Sequence, residues 1–77
     1  MNKVRRKKVS DALAEIERQK DIIETAKFEE QECYDNLPEP IQYSERGEIM
    51  QEIANSLESA VDELDNAISN INDALNH

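Results

Sequence analysis

From Met50 onward the chain repeats one pattern of apolar and polar positions every seven residues: MQEIANS, LESAVDE, LDNAISN, INDALNH. The first position is large and apolar throughout (Met50, Leu57, Leu64, Ile71). The fourth holds Ile53, Ala60, Ala67 and Ala74, and the fifth Ala54, Val61, Ile68 and Leu75. Three apolar positions per heptad form a stripe wider than a two-stranded seam, the pattern of a helix packed in a bundle. The alanines would let a neighbouring helix approach closely. No proline or glycine follows Gly47, so one helix is predicted from about Ser44 to about Asn76, with acids, Asn and Ser on its outer face.

The first half is helical in pattern but thinner. Val9, Leu13, Ile16 and Ile23 share a face, with Ala12 and Ala26 beside it and Cys33, Tyr34 and Leu37 towards the end. Lys20 and Lys27 fall inside this stripe, where their stems can lie on apolar surface while the heads reach water. Glu17–Lys20 and Glu24–Lys27 have the spacing of favourable pairs on one helix. Ser10 followed by Asp11 is an N-cap signal with an acid in the first turn. These features predict helix one over 7–34, with residues 1–9 as a basic tail or frayed helix start.

Between the two lies DNLPEPIQYSERGE, with both prolines and the only glycine of the chain. Pro38 and Pro40 forbid continuation of helix one. Asn36 can cap a short turn with Glu39 as its capping-box partner, and Ser44, followed by Glu45, caps helix two. The corner is thus predicted over 35–43 and helix two over 44–76. A short connection between helices of similar length predicts an all-α antiparallel hairpin with arms of roughly 40–50 Å.

Size and charge refine this picture. Seventy-seven residues make one small domain, and a core of that size rarely supplies more than about 3–5 kcal/mol. One cysteine cannot close an intramolecular disulfide and suits a reducing compartment. One Cys and one His, the terminal His77, give no zinc ligand set. Oligomerisation, or a partner chain, remains. The stripe of helix two is wider than helix one can cover, so the hairpin is expected to dimerise into a four-helix bundle or coiled coil, with Leu57, Val61, Leu64, Ile68, Ile71 and Leu75 as the oligomer core, or to be covered by a host protein.

Five of the nine basic residues (Lys3, Arg5, Arg6, Lys7, Lys8) stand in the first eight positions, whereas no Lys or Arg follows Gly47. In an antiparallel register Asp62, Asp65 and Asp73 would be counter-charges for Arg5, Arg6 and their neighbours. The net charge of −9 repels nucleic acid and favours basic protein partners. No stretch has the ~20 apolar residues of a membrane span, and the basic N-terminus lacks the apolar core of a secretory signal. The expected protein is soluble and intracellular.

Catalytic chemistry finds no constellation. His77 has no nucleophile fixed beside it, Cys33 falls in an apolar helical pattern, and paired acids such as Glu29–Glu30 and Asp62–Glu63 diverge on a helix. No cofactor and no small-molecule substrate is implied, and a non-enzymatic role is expected. The basic run VRRKK lacks the interleaved aromatics of a nucleic-acid site. The corner carries the densest chemistry. Tyr43 and Arg46 are residue types common at binding hot spots. Gly47 stands in the first turn of helix two, where Ala would be better by up to about 1 kcal/mol, so another group must approach it closely. Arg46 is expected to pair with Asp35, Glu39, Glu45 or Glu48. The candidate partner-binding residues are Tyr43, Arg46, Gly47 and Glu48 at the corner, with Asp62, Glu63 and Asp65 on the acidic face of helix two.

The stretch EEQECYDNLPEPIQYSERGEIMQEIANSLESAVDELDNAISNINDAL resembles a group of small acidic, uncharacterised phage and prophage helical proteins. Their pattern combines an EEQE run, a DNLPE motif, a SERGE corner and a long acidic helix; Glu29–Glu32, Tyr34–Glu39, Gln42 and Ser44–Glu48 carry it here. The resemblance implies a phage-type origin, the cytoplasm of a bacterial host and no catalytic residues. Three functions compete: an accessory protein that binds and inhibits a host or defence protein, a structural component of a helical assembly, and an acidic mimic of DNA.

Overall fold

The computed structural model describes residues 1–77 and is all-helical, in three elements: α1 (Lys3–Asp35), α2 (Glu39–Gln42) and α3 (Glu45–Leu75). It is a rod, 58 × 15 × 13 Å along its principal axes. The two long helices lie against each other along their length. Arg6, near the start of α1, reaches the carbonyl oxygen of Leu75, the last residue of α3, and that of His77 just beyond it. Midway, Lys20 reaches Asp65.

α1 begins earlier than the Ser10 signal predicts. Its N-cap is Asn2, whose side-chain oxygen accepts from the Arg5 N–H at 2.8 Å, and Ser10 lies exposed inside the helix. A first turn of bases opposes the helix dipole. Tertiary placement reverses the balance, because these bases stand beside the C-terminus of α3, where carbonyls lack helical partners and the dipole is negative. The Arg6 guanidinium donates to two of those carbonyls. Arg6 is therefore not neutralised by Asp62, Asp65 or Asp73 as expected. No carboxylate lies within ion-pair distance of Arg5 either, and Lys7 is held by Asp11 on its own helix, at 2.9 Å.

The α1–α3 seam alternates spacings of three and four residues on both helices. On α1 it runs through Val9, Leu13, Ile16, Lys20 and Ile23. On α3 it runs through Met50, Ala54, Leu57, Val61, Leu64, Ile68, Ile71 and Leu75, all buried or half-buried. A strict 3.5-residue average keeps one seam facing a partner over many turns. The tightest points are Leu13, Ala54 and Val61, exposed to 8%, 3% and 3%. The first and fifth heptad positions of α3 are thus buried or half-buried along α1 within the single chain, and they include the six residues expected to form an oligomer core. The fourth position stays outside the seam: Ile53 is 43% exposed, Ala67 and Ala74 are exposed, and Ala60 is half-buried.

Lys20 and Lys27 occupy seam positions half-buried, with their heads turned outward. Lys20 takes Asp65 rather than Glu17. The ammonium of Lys27 lies over the Phe28 ring, 4.3 Å from its centroid, a cation–π contact, rather than on Glu24.

Candidate functional site: the corner

α1 ends at Asp35 with Asn36 as its C-cap, whose N–H donates to Glu32 O and Tyr34 O. Asn36 therefore closes α1 rather than opening a capping box with Glu39. One turn of helix, α2, follows, with Pro38 at its N-cap and a proline in its first turn, where the missing N–H costs nothing. Ser44 then caps α3. Its hydroxyl donates to Ile41 O and accepts from Gly47 N–H, and Glu45 and Glu48 sit favourably in the first turn.

Two side chains weld this corner together, one of them by being absent. The Gln42 amide nitrogen donates to Tyr34 O at 3.1 Å and Asp35 O at 3.4 Å, adding to the backbone donor that Tyr34 O already has in Leu37 N–H. Gly47 is buried, and a Cβ there would stand 2.2 Å from Gln42 O and 2.6 Å from Ile41 O. The close approach inferred from this glycine comes from the chain's own corner. Gly47 contributes clearance, not contact surface.

The remaining corner candidates face solvent. Tyr43 is 76% exposed, and Arg46 and Glu48 are exposed. None of the acids expected to hold Arg46 pairs with it, and the only ion pairs are Lys7–Asp11, Arg18–Glu15 and Lys20–Asp65. A shallow groove of about 380 Å³ runs from the corner onto α3, lined by Tyr34, Gln42, Tyr43, Glu48, Gln51 and Glu52 among others. Gln42 stood in the sequence only as part of the resembling motif, and its role as a clasp was not legible, because a carbonyl acceptor seven or eight residues away is invisible to composition and periodicity.

Asp62, Glu63 and Asp65 lie elsewhere, roughly 25 Å along α3 from Gly47 at 1.5 Å per residue. Asp62 and Glu63 are exposed, whereas Asp65 is occupied by Lys20. The hydrogen bond to Asp65, reinforced by its charge and those of Glu24 and Asp21, raises the Lys20 pKa above the ordinary 10.5, against a smaller opposing effect of desolvation. Corner and acidic face are therefore two surfaces, not one site. Cys33 is exposed, outside the apolar face to which the pattern assigned it.

No group of three or more His, Cys, Asp or Glu side chains is placed to hold a metal ion, and no helix is long and apolar enough to cross a membrane. The fold and corner define an all-α rod of two long helices joined by a one-turn helical corner. Compared with protein-family models, with curated proteins and with solved structures, the chain matches none.

Proposed function

We propose that this is a non-enzymatic accessory protein of phage type, acting in the cytoplasm of a bacterial host by binding another protein through its hairpin tip. The reading includes a hairpin that pairs with a second copy into a four-helix bundle. The observation that carries it is Tyr43, a large aromatic 76% exposed at a corner whose backbone is held by Gln42, Ser44 and Gly47. An aromatic fixed on a rigid element loses little entropy on binding, and Arg46 beside it has no intramolecular ion pair to break. The acids around the tip favour a basic partner.

The test compares immobilised wild-type protein with Tyr43→Ala and Arg46→Ala in bacterial lysate. A stoichiometric partner retained by the wild type and lost from both variants, at unchanged helicity, supports the reading. Equal retention by all three overturns the tip as the recognition surface. Added DNA separates the mimic, since displacement of the partner by DNA and by moderate salt would move the working surface to Asp62 and Glu63. Retention of no partner by the wild type would favour a structural component.

A further inference from the structure

The two flanks of the seam differ in kind. On one side the flanking positions are Ser10, Glu17 and Glu24 of α1 with Glu58, Asp65 and Asn72 of α3, and this side carries the Lys20–Asp65 pair. On the other they are Ala12, Gln19 and Ala26 of α1 with Ile53, Ala60, Ala67 and Ala74 of α3. In antiparallel heptad geometry the positions preceding each first seam residue of both helices fall on the same flank. In a chain with 18 acids, these seven positions hold none. A groove of about 360 Å³ opens on this side, with Ala12, Ile16, Ile23 and Leu64 in its lining beside the charged Glu15 and Lys20. It leads to seam side chains that α1 and α3 leave uncovered. Glu15 at its margin is already held by Arg18 and Gln19.

Charge along the rod supplies the second observation. Lys3, Arg5 and Lys8, at the end where the termini meet, have no carboxylate within ion-pair distance. At the opposite end, Glu29 to Glu52 contains eight acids and one base, Arg46, and none of these acids is in an ion pair. The rod is thus basic at one end and acidic at the other. Parallel pairing of two rods would set like ends together, and antiparallel pairing sets each basic end beside an acidic tip. The acid-free positions run about 32 Å along α3, from Ile53 to Ala74 at 1.5 Å per residue, on a rod 58 Å long, so the charged ends of each copy extend the contact beyond them.

We infer that the occupant of these acid-free flank positions is a second copy of this chain, laid antiparallel about a two-fold axis through the middle of the rod. Ala60 and Ala67 of each chain lie near the centre of the contact, and Lys3–Lys8 of each lie beside the corner of the other. The inference rests on the self-association included in the proposed function and names its face and orientation. Small side chains allow the close helix approach that such packing requires, and the isologous arrangement uses every charge twice.

Sedimentation of the full chain tests association, and Ala67→Glu tests the face. Ala67 is exposed in the single chain and Glu is a good helix former, so circular dichroism should be unchanged. The dimer dissociation constant should weaken about a hundredfold, as expected when an unpaired charge enters an interface. Orientation is read from a spin label on the native Cys33, the sole cysteine. Antiparallel pairing places the two labels about 40 Å apart, and parallel pairing under about 20 Å. A monomer at all concentrations overturns both the inference and the self-association beneath it. A dimer unaffected by Ala67→Glu, or one with a short label distance, leaves self-association standing and overturns the face or the orientation.

Discussion

Lys20 of α1 and Asp65 of α3 form the single ion pair that crosses the seam, Nζ to Oδ1 at 2.5 Å, with the lysine side chain 21% exposed and the aspartate 51% exposed. The lysine stands inside an apolar stripe, and sliding α1 by one heptad would set it opposite Glu58 or Asn72, which hold the same heptad position as Asp65.

The pair makes stability depend on alkaline pH. Because the folded pKa of Lys20 is raised above 10.5, chiefly by the hydrogen bond to Asp65, its contribution is fully present below 10.5. It is lost as pH rises through the folded value. The melting temperature of the wild type relative to Lys20→Met should stay constant up to pH 10.5 and then fall. A flat difference across that range would show that the pair does not couple to folding.

Gly47→Ala sets two effects against each other. Helix propensity alone favours alanine by up to about 1 kcal/mol. The added Cβ would meet the backbone of Gln42 and Ile41, which cannot rotate away, and overpacking of that kind costs about 1–3 kcal/mol. The clash should win, so thermal unfolding should occur several degrees lower than in the wild type. An equal or higher melting temperature would mean that the corner yields freely.

Gln42→Ala removes the donor to Tyr34 O and Asp35 O. Loss of one good hydrogen bond and one long one should cost about 0.5–1.5 kcal/mol in a denaturant titration. Amide exchange should quicken selectively in the last turn of α1. Uniform exchange changes along the rod would contradict a local clasp.

Leu13→Ala removes the most buried large side chain of α1. The cost of about 2–5 kcal/mol is comparable to everything a core of this size supplies, so helicity should fall sharply. Ile68→Asp should do the same, because Ile68 faces the seam within one chain. If Ile68→Asp instead changed only the assembly state and left helicity intact, the seam assignment would be wrong.

Much of the shape was legible in the residues. The unbroken heptads after Met50 specify a long helix because their apolar spacing fits no other backbone. The Pro38–Pro40 pair ends α1 because proline cannot continue it, and Ser44 is both the cap signal in the sequence and the N-cap in the structure. The start of α1 was not legible. Asn2 caps it although the bases that follow oppose its own dipole, and only the nearby α3 terminus explains their tolerance.

Three apolar positions per heptad were visible by themselves, but which two would be consumed inside the chain was not. Periodicity defines a stripe on one helix, whereas the partner's position decides which part of it is covered. Likewise the sequence by itself determined that Gly47 must admit a close neighbour, since a helix interior otherwise disfavours glycine. Only the tertiary structure decided that this neighbour is the carbonyl of Gln42, five residues back, because a backbone contact depends on how the corner closes and leaves no mark on composition or spacing.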